Sequence, residues 1–180
     1  MERSNPNARM FFGVATAIVL SDAFTKVLAA DRLTPSGLPR EVIGRTLQLR
    51  LVFNRGAAFG LNVGPWSRWV FTALTVGALV LLWQLYRATR ADEMLRTFAL
   101  ALVCGGAVGN LVDRVKSGRG VVDFIDVGIG TSRWPTFNVA DMAVSCGAVL
   151  LAIVLWKDDA AASAGSRALA ASGPDAPVQG

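Results

Sequence analysis

Carboxylate side chains are the obvious candidates for acid and base chemistry in this sequence, because it contains no histidine. That absence excludes a Ser-His-Asp triad, a Cys-His pair, an HExxH zinc site and a histidine general base. The two cysteines, Cys104 and Cys146, lie inside apolar runs and have no CxxC spacing. We predict that both are small buried apolar residues outside any disulfide or metal site.

Several Asp and Asn residues lie within or beside long apolar runs, where polar groups are costly. Asp123 stands among β-branched and aromatic neighbours, whereas Asp126 has the simpler interpretation of a solvated loop charge. Asp141 lies about one turn inside an apolar run, so it is either a first-turn acid favoured by the helix dipole or a functional group. The polar residues that map to this one end of the runs are Asp22, Asn54, Asn110, Asp113, Asp123, Asn138 and Asp141.

Paired carboxyl groups would give such a cluster an acid and a base. Two of them close together cannot both ionise cheaply, so one keeps its proton and acts as an acid while the other activates water. This pattern indicates an aspartic peptidase at a membrane surface.

Two charged pairs accompany the cluster. Asp22 and Lys26 are four residues apart and share a helix face, so they either neutralise each other or brace a polar site. Asp113 and Arg114 are adjacent, and we predict that they form a structural ion pair and a hydrogen-bonding hub.

Four apolar runs provide the elements that would position these groups. They cover about residues 10–30, 66–86, 95–112 and 138–156, close to the roughly 20 residues that cross a hydrocarbon core. The composition agrees, because 53% of the residues are hydrophobic and only 17% are charged. We predict an all-α membrane protein with four transmembrane helices. The basic residues behind the net charge of +5 are scattered, which argues against a nucleic-acid partner.

The orientation follows from the basic residues near the helix ends. The short connection between the second and third runs carries Arg87, Arg90 and Arg96, which favours the cytoplasmic side. Four spans then place both termini in the cytoplasm and the polar cluster at the outer face. The loop over residues 31–65 carries five arginines and fits this orientation less well.

Outside the helices, residues 46–53 alternate polar and apolar side chains and predict a strand within an outer β region at about 45–60. Residues 54–60 then indicate a glycine-bearing turn. From residue 158 the chain is rich in Ala, Ser, Gly and Pro without apolar periodicity. We therefore expect one domain over residues 1–157 and a disordered cytoplasmic tail over 158–180.

Five segments, in order, resemble the motifs of lipoprotein signal peptidases, the type II signal peptidases of bacteria. The resemblance covers about residues 10–156. The segments are Asp22 to Lys26, Asn54 to Gly60, Gly105 to Arg114, Val121 to Phe124 and Phe137 to Asp141. At Ala23 the family usually has a polar residue, which leaves the role of Asp22 less defined.

The resemblance implies that Asp123 and Asp141 form a catalytic dyad at the outer face of the bacterial inner membrane. We expect no metal or other cofactor, because two carboxyl groups that share a proton can supply the chemistry. It implies a small sheet that acts as a cradle on the membrane, with a short helix or loop beside it. The substrates would be prolipoproteins that carry a diacylglyceryl cysteine, cut just before that cysteine, and we expect a monomer in contact with membrane lipids. The supporting residues would be Asp22, Lys26, Asn54, Gly56, Gly109, Asn110, Asp113, Arg114 and Asn138.

Three other hypotheses fit parts of the sequence. A Ser-Lys peptidase could use Ser21 or Ser145 with Lys26, although Ser21 and Lys26 are poorly in phase on a helix. A small ion or proton carrier could use the carboxylates as a relay, although they cluster at one end instead of crossing the membrane. Asp and Asn oxygens could also hold a divalent metal, but no spacing requires one.

Overall fold

Four long helices dominate the computed structural model, which describes residues 7–56 and 64–171. They are α1 (Ala8–Arg32), α2 (Ser67–Ala88), α3 (Met94–Lys116) and α4 (Val139–Ala171), with a 3₁₀ turn at Gly64–Trp66 before α2. Within the described residues, each helix is long and apolar enough to cross a membrane. The predicted four-helix membrane fold is confirmed.

The last helix is longer than the sequence analysis expected. Residues 158–171 continue α4, where a disordered tail was predicted. The missing apolar periodicity shows only that this segment has no buried face, whereas alanine favours a helix without burial. Residues 172–180 and 57–63 lie outside the described residues, and the second range includes most of the turn predicted at 54–60.

Helix α3 packs between α1 and α4, because small residues allow the backbones to approach closely. A Cβ atom on Gly105 would come within 2.9 Å of the Ala15 carbonyl oxygen of α1, and one on Gly106 would collide with the Ala140 carbonyl oxygen of α4. Cys104 of α3 is buried as predicted. Cys146 is exposed, against the prediction, because the outward faces of these helices are apolar and would meet lipid, not protein.

An antiparallel sheet covers one end of the bundle, which we call the sheet end. Its order is β1 (Arg40–Ile43), β2 (Leu47–Asn54), β3 (Val121–Ile129) and β4 (Ser132–Arg133). The predicted strand is confirmed as β2; the other three were not predicted. A cluster of Ala29, Leu33, Leu51 and Phe124 packs the sheet against the end of α1.

Strand β3 brings Asp123 opposite Val52 of β2 and also carries Asp126. The interpretation of Asp126 as a solvated loop charge is wrong, because its side chain is only 1% exposed. Its Oδ1 atom accepts a hydrogen bond from Arg133 Nε at 2.6 Å, and Arg50 Nε lies 3.4 Å from Oδ2 as an ion pair. Arg133 thus hydrogen-bonds one carboxylate oxygen of this buried acid, while the other oxygen has only the longer ion pair with Arg50 among the described residues.

Candidate active site

The first turn of α4 holds the Asp141 carboxyl group in place. Asn138 is the N-cap, and its Oδ1 atom accepts a hydrogen bond from the Asp141 backbone N–H at 2.9 Å. In return, Asp141 Oδ2 accepts one from the Asn138 backbone N–H at 3.1 Å, which completes a capping box. The interpretation of Asp141 as a first-turn acid therefore holds, but its other oxygen, Oδ1, accepts a bond from Asn110 Nδ2 at 2.7 Å.

Strand β3 presents the second carboxyl group. It belongs to Asp123, a residue that is only 2% exposed. Its Oδ1 atom accepts a hydrogen bond from Asn138 Nδ2 at 2.7 Å, and its Oδ2 atom accepts one from Asn54 Nδ2 at 3.1 Å. The Asn54 amide is oriented by the Gly56 backbone N–H, which donates to Asn54 Oδ1 at 3.0 Å. Gly56 thus acts through its backbone, and it directs the Asn54 amide group toward Asp123.

Two asparagines join the carboxyl groups into one network. Asn138, which is fully buried, also lies with its Nδ2 atom 3.1 Å from Asn110 Oδ1. Lys26 Nζ donates to the same Asn110 oxygen at 3.0 Å. Because two donors face this oxygen, the amide nitrogen of Asn110 must point to Asp141.

Lys26 and Asp22 support this network from α1. The two residues therefore neutralise each other and also brace the polar site, as the two interpretations of the pair had it. Lys26 Nζ lies 2.7 Å from Asp22 Oδ2, and the free oxygen of Asp22 accepts a hydrogen bond from the Ala140 backbone N–H at 3.0 Å. Asp22 therefore caps α4 from a different helix. Gly109 makes room for it, because a Cβ atom there would lie 2.7 Å from Asp22 Oδ2.

The expected ion pair between Asp113 and Arg114 is wrong for the described residues. Asp113 Oδ2 lies 2.9 Å from Lys26 Nζ and accepts a hydrogen bond from the Val122 backbone N–H at 3.1 Å. Consecutive helix residues point in different directions, so Asp113 faces α1 while Arg114 lines a cavity with the two carboxyl groups. The guanidinium group is within electrostatic reach of Asp123 and Asp141.

The cavity has a volume of about 780 Å³ and lies between the sheet, α3 and α4. Asp123, Asp141, Asn54 and Arg114 contribute polar groups, while Phe137 forms part of an apolar wall. Burial raises the pKa of Asp123 to about 7; the charge of Asp141 adds to the increase, and the bonds from Asn54 and Asn138 oppose it. The site thus holds one carboxyl group that keeps a proton near neutral pH beside a second one.

Arg50 is a cavity residue that the sequence analysis did not single out. It donates a hydrogen bond to Thr136 Oγ1 at 3.3 Å and pairs with Asp126 beneath the sheet. The polar and apolar alternation that predicted β2 could have placed Arg50 on the polar face of that strand. What it faces across the sheet depends on pairing with β3.

The Ser-Lys hypothesis lacks support in this geometry. The Lys26 ammonium group contacts two carboxylates and an amide oxygen, and neither Ser21 nor Ser145 bonds to it among the described residues. The described residues also contain no group of three or more His, Cys, Asp or Glu side chains that could hold a metal ion.

Four apolar helices and a cavity with two linked carboxyl groups define the chain as a multi-pass membrane protein with an acid–base site at one end. A family model described as "Signal peptidase (SPase) II" matches residues 14–157. The chain is 45% identical to a "Lipoprotein signal peptidase" of Cupriavidus taiwanensis, over 80% of this chain and 81% of the relative. Another from Paraburkholderia phymatum is 43% identical, over 78% and 84%.

Two solved structures, each described as a bacterial membrane enzyme, have similar folds. Their TM-scores are 0.73 and 0.71, each at 31% identity, and the matches cover 84% of this chain and 90% and 95% of theirs. The chain belongs to the lipoprotein signal peptidase (signal peptidase II) family and is a membrane protease. The family belongs to the bacterial inner membrane.

Proposed function

We propose that this protein removes the signal peptide from diacylglyceryl-modified prolipoproteins, that it cuts just before the lipidated cysteine, and that Asp123 and Asp141 are its catalytic pair. The observation that carries the proposal is the amide network through Asn138 and Asn110, which aims both carboxyl groups at one cavity. A structural ion-pair site would be expected to bind its acids to cations. Here the two acids are instead oriented by neutral amides, and both line the cavity.

The environments of the two acids suggest their roles. Asp123 is the more buried and its pKa is raised to about 7, so it supplies the proton. Asp141, held by a backbone N–H and an amide, accepts one. Such a division between two like residues is how a carboxyl pair performs acid and base chemistry together.

The reaction then follows with protons conserved. Asp141 takes a proton from water as the water oxygen attacks the scissile carbonyl carbon, and Asp123 gives its proton to the carbonyl oxygen. The resulting diol collapses: one hydroxyl returns its proton to Asp123, the C–N bond breaks, and the proton on Asp141 passes to the leaving amine. We assign Arg114, which lines the cavity beside both acids, to binding a substrate carbonyl group.

The remaining residues position this pair. Lys26 and Asp22 hold Asn110 and the start of α4, Asp113 holds the start of β3 through the Val122 N–H, and Asn54 orients Asp123. Mechanistically they act through the acids and need not touch substrate.

The orientation in the membrane is part of the proposal. The connection between α2 and α3, at the opposite end from the sheet, carries the exposed Arg87 and Arg90 and suits the cytoplasmic side. The sheet end and the cavity then face outward, and the chain termini lie in the cytoplasm. We further propose that the protein acts as a monomer surrounded by lipid.

The test uses purified protein, a diacylglyceryl-modified precursor and mass spectrometry of the products. We expect a product that begins with the lipidated cysteine. Asp123→Asn and Asp141→Asn should each lower kcat by about 10²–10⁴-fold, the usual contribution of a general acid or base. The matched control is Asp31→Asn, which changes an exposed acid whose one ion pair within residues 7–56 and 64–171 is with its neighbour Arg32. A product that begins elsewhere would contradict the cleavage site, and turnover by either variant at the rate of Asp31→Asn would contradict the dyad.

A further inference from the structure

The cavity continues past the carboxyl groups along α4. Its lining includes Asp141, Met142, Val144 and Ser145. Ser145 is four residues beyond Asp141, so it lies on the same helix face roughly 6 Å farther along the axis. Because α4 is a candidate membrane span, this part of the cavity lies deeper than the carboxyl groups.

The Ser145 hydroxyl group makes no bond to the described residues of its own helix, unlike several hydroxyl groups of the other spans. Thr25, Thr72 and Thr75 each donate to the carbonyl oxygen four residues earlier, at 2.7–2.8 Å. Ser145 is exposed and has no hydrogen-bond partner among the described residues. At this depth only the cavity can supply a partner for the hydroxyl group, and substrate that fills the cavity would displace the water there and take its place.

A signal peptide would bring acceptors to this depth, an argument that rests on the proposed function. Its apolar segment crosses the membrane as a helix, yet the scissile bond must leave the helix to be attacked. The last carbonyl groups of that helix then lose their intrahelical donors. In a hydrocarbon environment such groups need a new donor.

We propose that Ser145 is a substrate-binding residue whose hydroxyl group donates a hydrogen bond to a backbone carbonyl of the signal peptide, just before the scissile bond. The bond sets the depth at which the peptide leaves its helix. It thereby aligns the next peptide bond with Asp141 and Asp123.

The experiment compares Ser145→Ala with the wild-type protein on a diacylglyceryl-modified precursor. We expect kcat/KM to fall about threefold to tenfold, the effect of one neutral hydrogen bond. Ser145→Thr, which keeps the hydroxyl group, should retain most of the wild-type value. The pH profile should not change, because Asp123 is left intact. The matched control is Ser21→Ala, which removes an exposed serine hydroxyl on α1 that does not line the cavity.

A precursor with an ether-linked dialkylglyceryl group distinguishes the peptide from the lipid as acceptor. It lacks ester carbonyls, so an unchanged penalty for Ser145→Ala supports a peptide acceptor, and a vanished penalty overturns this assignment. If Ser145→Ala lowers the unfolding temperature in detergent, Ser145→Cys provides a variant of similar size with a weaker donor and should show the same loss. Ser145→Ala activity within twofold of Ser21→Ala would overturn the inference. Failure of the wild-type protein to cut the precursor would instead contradict the proposed function.

Discussion

Asn138 is the residue through which the two carboxyl groups meet. Its amide nitrogen binds Asp123, and its amide oxygen binds the backbone of Asp141. One side chain therefore caps a helix and positions an acid on a strand. The surroundings of the two acids differ, since Asp123 is buried under the sheet while Asp141 is partly open to the cavity.

The protonation of Asp123 leads to a pH prediction. The raised pKa, about 7, means that its acid form is lost as the pH rises through that value. We expect kcat/KM to fall about tenfold per pH unit above about pH 7, because this parameter reports the ionisation of the free enzyme. A flat profile up to pH 9 would rule out Asp123 as the acid.

Asn54→Ala tests whether the contacts of Asp123 set its pKa as argued. It removes a hydrogen bond that favours the charged form of Asp123, so the pKa should increase and the alkaline limb should move to higher pH. Asn7→Ala is the control, because Asn7 is a buried asparagine at the opposite end, bound to the Ala91 carbonyl. A limb that moves to lower pH in Asn54→Ala would contradict the electrostatic argument.

Among the elements, α3 depends on glycine where it passes the start of α4. Gly109→Ala should lower the free energy of unfolding by about 1–3 kcal/mol, since the new methyl group would meet Asp22 and Ala140. Activity should decline with it, because Asp22 caps α4. Gly77→Ala is the matched control, with nothing within 4 Å of the new Cβ atom. Equal unfolding temperatures in detergent for the two variants would show that α3 does not pack tightly against Asp22 and Ala140 at Gly109.

The end of α4 is an exposed segment. Its described side chains beyond Trp156 are exposed, and the contact to α3 is an ion pair between Asp158 and Arg96 at 2.6 Å. Deletion of residues 160–180 spares that pair, and exposed ion pairs stabilise weakly in any case. We expect kcat to stay within twofold of the full chain, measured on the purified proteins. A large loss of kcat would assign the deleted segment a role in catalysis.

At the scale of the whole molecule, the depth of the cavity predicts a need for lipid on the substrate. The proposed catalytic pair lies where α4 begins, so a scissile bond must be held at the membrane boundary. Each buried CH₂ group of an acyl chain contributes about 0.8 kcal/mol, and two chains would keep the cysteine at that level. Fixing the position in advance also removes much of the entropy cost of reaching the site.

We therefore expect a much higher kcat/KM for the diacylglyceryl-modified precursor than for its unmodified form, when both are measured in the same bilayer. The two precursors have the same peptide sequence, and the control is to compare them at equal amounts bound to the membrane. Equal values would indicate that the peptide alone sets the depth.

Local patterns were enough to predict much of this fold. Apolar runs of about 20 residues identified all four spans, and alternation identified β2, because both signals repeat within a few residues. Strand β3 was missed because buried residues such as Val121 and Phe124 interrupt its alternation, and β1 because it is short and fully exposed. The alanine-rich end of α4 was missed because it has no buried face.

The sequence by itself limited which chemistry was available: without histidine, carboxylates are the obvious acid and base, and their places relative to the spans put them at one end. Only the tertiary structure decided which of them meet. Asn54 reaches Asp123 across 69 residues, and Asp22 reaches the Ala140 N–H across 118. Lys26 binds Asp113 where the sequence suggested Arg114. Such pairings depend on how close the helices pack and on the register of β2 against β3, which no local periodicity contains.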